Sequence, residues 1–164
     1  AQHVPEGWPV VTDYLFCEPL LIGRLRDAVP EFVEVTGVAG LSQMNDDNPV
    51  CPMAYVMYLG DTVNTSTAAT GGSQRRLQFV TQLWAVVVCV YFADGRGLGA
   101  DISSEAGPLM LKTVEALAGW SPLEGVTRPL ARSNQSLPAQ YESGYGYYPL
   151  VFQVDVPAAI GGYR

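Results

Sequence analysis

The stretch RRLQFVTQLWAVVVCVYFA, residues 75–93, decides the fold of this chain. Its first part alternates between apolar and polar residues, whereas Ala85–Phe92 is continuously apolar and rich in valine. Alternation is typical of a half-buried strand, and an unbroken β-branched run is typical of a strand that is covered on both faces. The length would also allow a helix, but the density of Val, Phe, Tyr and Trp favours a strand. We therefore predict a long central strand from Leu77 to Ala93.

The segments around this strand predict two helices and several shorter strands. Apolar residues at helical spacing predict one helix from about Thr12 or Asp13 to Val29, with Pro19 as an alternative first residue. A second apolar stripe predicts a helix over residues 100–118. Alternating or apolar runs predict further strands at residues 32–35, 52–59, 139–143 and 147–156. This order predicts an α+β fold, with a mainly antiparallel sheet of about four to five strands flanked by two main helices.

Four segments lack a periodic apolar pattern. Residues 60–74 are small and polar, and we predict a long hairpin loop there. We predict that residues 1–12, which are Pro-rich, form an extended N-terminal segment, and that residues 157–164 form a loose tail. Residues 121–138 are expected to be irregular. Because no linker or internal repeat divides the chain, we predict a single domain over residues 1–164.

The composition is that of a globular chain with few charges. Of its 164 residues, 48% are hydrophobic and 15% are charged, so the chain can bury a substantial core. Because so few charged groups cover the surface, we expect part of that surface to be hidden in an assembly. The net charge of −7 disfavours a protein that coats nucleic acid, which needs clustered Lys and Arg. The same charge suits a wall past which DNA slides, because like charges repel.

Features that report on the compartment point to the cytoplasm. The longest apolar stretch, Phe79–Phe92, falls short of the roughly 20 apolar residues that a spanning helix needs. No basic region followed by an apolar stretch opens the chain, so we predict no signal peptide. The three cysteines, Cys17, Cys51 and Cys89, are odd in number and form no CxxC motif. They predict no disulfide framework and no zinc site, and a reducing cytoplasm is the default place of folding.

Motifs that would carry catalysis or bind a ligand are weak. The only histidine, His3, lies in the N-terminal segment, and the adjacent Asp46 and Asp47 are typical of a solvated turn. The GRGLG turn at Gly95–Gly99 lies where a phosphate-binding loop would sit, but it matches neither GxGxxG nor a P-loop. We therefore predict no enzyme, no cofactor and no metal. A small-molecule-binding α+β domain that uses this turn is a remote alternative.

The residues singled out for function are candidates for contacts with other proteins. Arg75 and Arg76 begin the long strand beside the polar loop, either as a solvated strand end or as a contact for DNA phosphates or an acidic neighbour. Tyrosines around Gly144 and Gly146 suit either a subunit interface or core packing. The candidate assembly contacts are Trp8, Arg75, Arg76, Trp84, Arg128, Arg132, Tyr147 and Tyr148. The tryptophans and tyrosines among them are expected near such contacts or in the core.

The order of these segments resembles that of the tail terminator proteins of long-tailed bacteriophages, including the phage-lambda-like group. The resemblance covers about residues 15–156 and rests on pattern and order rather than on a diagnostic motif. It is carried by IGRLRDAVPEFVEVTGVAGL at residues 22–41, by PMAYVMYLGD before the polar loop, by RRLQFVTQLWAVVVCVYF, by a helix ending in ALAGWSP, and by YYPLVFQVDV.

The resemblance implies a structural protein of the virion without catalytic residues. Proteins of that family form a hexameric ring on the last ring of tail tube protein, stop tail polymerisation and present the surface that joins the head. The implied partners are further copies of the chain, the tail tube protein and a head–tail connector or stopper protein. A passing contact with genomic DNA in the lumen is also implied, and a membrane is not. The implied location is the head-proximal end of the tail, after synthesis in the host cytoplasm.

The resemblance also implies roles for two segments. The loop at residues 60–74 would face the tube or the lumen, and residues 121–138 would provide another ring contact. The alternatives close to this interpretation are another connector component, such as a head-completion or stopper protein, and a tail tube or baseplate protein.

Overall fold

The structure is a computed structural model that describes residues 13–39, 49–63, 77–92 and 99–159. Two helices and six strands follow one another within these residues. In chain order they are α1 (Cys17–Ala28), β1 (Glu34–Gly37), β2 (Met53–Val63), β3 (Leu77–Tyr91), α2 (Gly99–Leu117), β4 (Ala131–Arg132), β5 (Gln140–Glu142) and β6 (Tyr145–Ala159).

The six strands form one sheet in the order β1-β2-β3-β6-β4, and β5 pairs with β6 off this path. β1 runs parallel to β2, and every other pair is antiparallel. The predicted α+β fold with a mainly antiparallel sheet is therefore confirmed, although the sheet is mixed and has six strands rather than four or five. Because β4 is two residues long, it leaves no periodic signal in the stretch that was predicted to be irregular.

The predicted central strand is confirmed as β3, which lies between the two other long strands of the sheet. β2 pairs with it on one side and β6 on the other, so Trp84 lies opposite both Tyr58 and Phe152. Every residue from Trp84 to Cys89 is fully buried. The valine-rich run is therefore covered on both faces of the sheet, as its composition predicts.

Both helices pack on one face of the sheet. Leu21 and Leu25 of α1 and Leu117 of α2 are fully buried against the side chains of β3 and β6 that point to this face. The opposite face is also buried. Its cluster consists of Met53, Tyr55, Met57, Ala85, Val87, Cys89 and Tyr147.

α1 begins later than the sequence predicts. Oδ1 of Asp13 accepts a 2.9 Å hydrogen bond from the backbone N–H of Leu15, and the Asp13 carbonyl accepts one from Phe16 at 3.2 Å. These bonds close a turn ahead of the helix, which starts at Cys17. Pro19 is not the first helical residue either. It occupies the third position, where a missing N–H costs no intrahelical hydrogen bond.

Two strands extend further than the sequence predicts. β2 continues through Val63, so the polar loop cannot begin at residue 60, and β6 continues through Ala159, so Pro157 does not begin a loose tail. β3 supplies backbone partners to both extensions, as in the pairs of Val63 with Val80 and of Pro157 with Phe79. A strand that gains its hydrogen bonds from a long neighbour needs no apolar alternation of its own. The rest of the predicted loop and tail lies outside the described residues.

A change of register between Tyr58 and Gly60 marks the point where β2 leaves the buried part of the sheet. Gly60 has a φ of +116°, a conformation that side-chain-bearing residues rarely adopt. Such an irregularity re-aims the following side chains, so Asp61 lies opposite Gln82. None of the helices in the described part of the chain is long and apolar enough to cross a membrane.

Candidate functional site

Three of the eight candidate contact residues, Trp8, Arg75 and Arg76, lie outside the described residues, and their roles stay predictions. The same holds for the weak chemical motifs, which comprise His3, Asp46, Asp47 and residues 95–98. Among the described residues, no group of three or more His, Cys, Asp and Glu side chains is placed to hold a metal ion. The remaining five candidates fall into two groups, the buried aromatics and the exposed arginines.

Trp84 occupies the core position that the sequence also allowed. Its side chain is fully buried, and its Nε1 donates a 3.1 Å hydrogen bond to Oε1 of Gln82. Gln82 is also fully buried, and its Nε2 donates to the backbone carbonyl of Tyr14 at 2.9 Å. The ring of Tyr58 packs beside the indole with a centroid distance of 5.2 Å. A buried indole N–H needs such a partner, and here the chain itself supplies it.

Tyr14 and Asp61 extend this network to the surface. The Tyr14 hydroxyl donates to Oδ2 of Asp61, which joins the turn before α1 to the end of β2. Desolvation, followed by the hydrogen bond to Asp61, raises the pKa of Tyr14 to about 12. Sequence reasoning missed this pair because it assigned Asp61 to a loop, and no local signal indicates that the two residues meet.

Tyr147 and Tyr148 are neighbours in β6 and point to opposite faces of the sheet, and both are buried. The Tyr148 hydroxyl lies 2.9 Å from Oγ of Ser103 on α2 and donates to the Tyr141 hydroxyl at 3.1 Å. Tyr147 packs beside Cys89, and burial raises its pKa. Both tyrosines therefore lie in the interior, which was the second of the two positions expected for them.

The exposed tyrosines lie around the buried pair at one end of the sheet. Tyr91 is 42% exposed and Tyr141 is 52% exposed, whereas Tyr145 is half-buried. The rings of Tyr91 and Tyr145 lie 4.5 Å apart, and the Tyr141 ring meets Tyr148 edge-on at 5.8 Å. We call Tyr91, Tyr141 and Tyr145 the tyrosine surface. Exposed tyrosines held by neighbouring rings are typical of protein interfaces. The sequence did not indicate Tyr91 as a surface residue, because it stands at the end of an apolar run.

Arg128 is exposed beside the outer edge of β6. Its Cζ lies 4.6 Å from the ring centroid of Phe79, and its Nη1 lies 3.6 Å from Oδ2 of Asp155. The other carboxylate oxygen of Asp155 accepts a 2.6 Å hydrogen bond from Thr81. A guanidinium held by both a ring and a carboxylate loses less conformational freedom when it binds a partner.

Arg132 belongs to the same edge and is held in a similar way. Its Nε donates to the Val151 carbonyl at 3.4 Å, and its Cζ lies 5.6 Å from the ring centroid of Phe152. Both arginines predicted as contacts therefore lie on the surface, one in β4 and one just before it.

On both sides of the sheet, part of a backbone edge has no strand partner within the described residues. On its outer side, β6 pairs with three residues of β5 and two of β4, although β6 has 15 residues. Three further hydrogen bonds reach it, from the backbone N–H groups of Arg128 and Ser133 and from Nε of Arg132. β1 pairs with β2 on one side only. Unpaired strand edges are ready templates for pairing with another chain.

Carboxylates outnumber cations beside the β1 edge. Glu34 of β1 and its neighbour Glu31 are exposed, and Lys112 of α2 forms an ion pair with Glu31 that lowers the pKa of this carboxyl. Arg26 donates to the Val35 carbonyl at 2.9 Å. The four acidic residues of this region are Glu18, Asp27, Glu31 and Glu34. Val33 and Val50, which precede β1 and β2, are each 62% exposed and add apolar area at the same place.

A family model described as phage tail terminator protein matches residues 11–160, which include every described residue. The chain belongs to the phage tail terminator family. It is accordingly a structural protein of the bacteriophage virion, and its place is the tail. The resemblance stated from segment order is confirmed.

Two solved structures match the chain at low sequence identity. A chain described as part of the virion of a native gene transfer agent particle shares 16% identity, with coverage of 90% of this chain and 87% of that chain and a TM-score of 0.40. A second solved chain, which has no functional description, shares 14% identity, with coverage of 89% and 96% and a TM-score of 0.43. No curated protein matches the chain. Membership of the family therefore rests on the family model.

Proposed function

We propose that this chain is the ring-forming tail terminator of its phage. It caps the tail tube at the head-proximal end, stops tail polymerisation and provides the surface to which the head joins. The observation that carries the proposal is the family match over residues 11–160. The partners are further copies of the chain in a hexameric ring, the tail tube protein and a head–tail connector or stopper protein. The chain acts by binding and not by catalysis.

The open edges of the sheet support closure of a ring. A cyclic ring needs a heterologous contact, in which one patch of a subunit meets a different patch of the next. The unpaired parts of β1 and β6 lie on opposite sides of the sheet, with β2 and β3 between them, so the two patches are separate on each subunit. The β6 edge of one copy facing the β1 edge of the next gives such a head-to-tail contact.

The charges at these edges support the same pairing. Arg128 and Arg132 project from the β6 edge, and Glu31 and Glu34 are exposed at the β1 edge. Complementary charges across an interface fix its register and suppress wrong pairings more than they add affinity. The tyrosine surface at the end of the sheet is a candidate contact for the tail tube protein or the connector, because exposed aromatic residues are enriched at interfaces.

The proposal is tested by removing the gene from the phage that encodes the chain and measuring tails by electron microscopy. A terminator that stops polymerisation predicts tails of excess and variable length that carry no heads. Supplying the chain from a plasmid should restore tails of uniform length. Headless tails of normal, uniform length after deletion would contradict the proposal, as would labelling of the chain away from the head-proximal end.

A matched pair of alanine substitutions tests the ring contact. Arg132→Ala and Arg24→Ala each remove a guanidinium that lies over an aromatic ring, but Arg24 lies over Trp120 and donates to the Ala116 carbonyl of α2, whereas Arg132 lies at the β6 edge. We expect Arg132→Ala to reduce the yield of head-joined tails, because it removes a charge and a ring-stacked side chain from the contact. Arg24→Ala should leave the yield near that of the unmodified chain once circular dichroism has confirmed its fold. Equal yields of head-joined tails for the two variants would show that Arg132 does not belong to the ring contact.

A further inference from the structure

Cys51 and Cys89 bring two thiols into contact although they are 38 positions apart. Their Sγ atoms lie 3.3 Å apart, and both cysteines are free. Cys89 lies in β3 opposite Met53, and Cys51 lies two residues before Met53, so neighbouring strands hold the pair. Cys17 is buried in the core cluster on the helix-covered face, whereas Cys89 belongs to the cluster on the other face. The sheet therefore separates Cys17 from the pair.

The two thiols of the pair differ in their access to solvent. Cys89 is fully buried, whereas Cys51 is half-buried and lines an open cleft of about 280 Å³ together with Pro52, Tyr91 and Glu105. A small reagent can therefore reach Cys51 first. The hydrogen bond between the thiols lowers the pKa of Cys51 and raises that of Cys89, so Cys51 is the thiol that ionises. The thiolate is the reactive form of cysteine.

We propose that Cys51 and Cys89 are a redox pair that closes to a disulfide when the protein meets a low-molecular-weight disulfide such as oxidised glutathione. The Cys51 thiolate attacks one sulfur of this reagent, which forms a mixed disulfide and releases one glutathione thiolate. Cys89 then loses its proton and attacks the Cys51 sulfur, so that the Cys51–Cys89 bond forms and the second glutathione leaves. Two protein thiols are oxidised, and one reagent disulfide is reduced to two thiols.

The closed pair would link the start of β2 covalently to β3 at the centre of the sheet. Thiols stay reduced in the cytoplasm, whereas disulfides persist in the oxidising surroundings outside a cell. The chain would thus assemble in its reduced form and become cross-linked in the released particle. This inference is independent of the proposed terminator role, since it depends only on the two thiols and their environment.

The experiment counts thiols in the folded, full-length chain before and after exposure to oxidised glutathione. The reaction is quenched with acid, the protein is unfolded, free thiols are alkylated and the products are analysed by mass spectrometry. We expect the number of alkylated cysteines to fall from three to one, with the label on Cys17, and a peptide pair joined through Cys51 and Cys89 to appear. Three alkylated cysteines after exposure would overturn the proposal, as would a bond that includes Cys17 or joins two chains.

Two variants test the order of the steps. Cys89→Ala removes the resolving thiol, so the reaction should stop at a glutathionyl group on Cys51. Cys51→Ser keeps the size of a half-buried side chain, and it should leave Cys89 unmodified because a buried thiol is inert. Circular dichroism of each variant confirms the fold before the reaction. Modification of Cys89 in Cys51→Ser at the rate seen for Cys51 in the unmodified chain would contradict the assignment of Cys51 as the attacking thiol.

Discussion

Replacing Gln82 by Met removes the polar side chain that links Trp84 to the turn before α1. Gln82 is fully buried, and its amide accepts from Nε1 of Trp84 and donates to the carbonyl of Tyr14. Met is similar in length, so the substitution removes both hydrogen bonds without opening a large cavity. We expect the variant to fold but to unfold at a lower urea concentration.

The magnitude follows from the groups that the substitution leaves without partners. The indole N–H of Trp84 is buried and loses its acceptor, which costs about 1–3 kcal/mol. The carbonyl of Tyr14 lies in an exposed residue and can turn to water, so it adds little. A loss of this size lowers Tm by about 2–4 °C for each kcal/mol in a chain of this length.

A double-mutant cycle with Trp84→Phe isolates the free energy of the hydrogen bond between Trp84 and Gln82. Phe has no N–H, so in that background Gln82→Met leaves no buried donor unpaired, and its cost should fall by about 1–2 kcal/mol. Urea unfolding of the four proteins is followed by far-ultraviolet circular dichroism, because Trp84→Phe alters the fluorescence signal. Costs that add within about 0.5 kcal/mol would refute the reasoning, since they would mean that Gln82 does not satisfy the indole.

Four further predictions concern stability and are measured by urea unfolding. Gly23→Ala should stabilise the chain by about 0.5–1 kcal/mol, because an added Cβ in α1 meets nothing within 4 Å. Gly144→Ala should destabilise it by at least about 1–2 kcal/mol, because Gly144 has a φ of +85° and the Cβ would come within 3.0 Å of the Tyr91 ring. The pKa of Tyr14 is raised to about 12 in the folded chain, so its stabilisation should be complete below about pH 10 and lost as the pH rises through 12. Tyr14→Phe should abolish that dependence, and an unchanged pH profile would contradict the assignment. Closing the Cys51–Cys89 bond across 38 positions should raise the free energy of unfolding by about 4 kcal/mol, and equal midpoints for oxidised and reduced protein would contradict this estimate.

The elements that could be predicted from the sequence are those whose own residues carry the signal. β3 and α2 were predicted to within a few residues, because a valine-rich run and an apolar helical stripe are local patterns. The ends of β2 and β6 could not be predicted, because the residues around Asp61 and Pro157 pair with β3 through backbone groups, which leave no pattern of side chains. The start of α1 was predicted too early. The Asp13 side chain accepts a hydrogen bond from the Leu15 N–H and closes a turn, and the sequence does not distinguish this turn from the first turn of a helix.

The positions of the candidate contact residues also depend on tertiary packing that local sequence patterns do not show. An aromatic residue in a strand suits both a core and an interface, and only tertiary packing decides between them. Trp84 faces Gln82 and Tyr148 faces Ser103, and neither contact can be read from spacing along the chain. Arg128 and Arg132 are exposed in the structure, as candidate contacts must be, and their role as contacts stays a prediction. The contact of Cys51 with Cys89 joins residues that are distant in sequence, so no local pattern predicts it.

Which parts of the subunit can meet its partners follows from the burial of its sheet. The helix-covered face and the opposite face both belong to apolar clusters in the interior of the chain. A sheet with both faces covered can offer a neighbour only its edges, its ends and its loops. Within the described residues, β4 and β5 pair with five of the 15 residues of β6, the N–H groups of Arg128 and Ser133 bond to two more, and Pro149 and Pro157 have no N–H to offer a partner. Proteins that remain alone usually shorten, charge or cover such an edge, because it invites pairing with another chain. The uncovered remainder of this edge, together with the exposed Arg128 and Arg132 beside it, is the surface that ring assembly would cover.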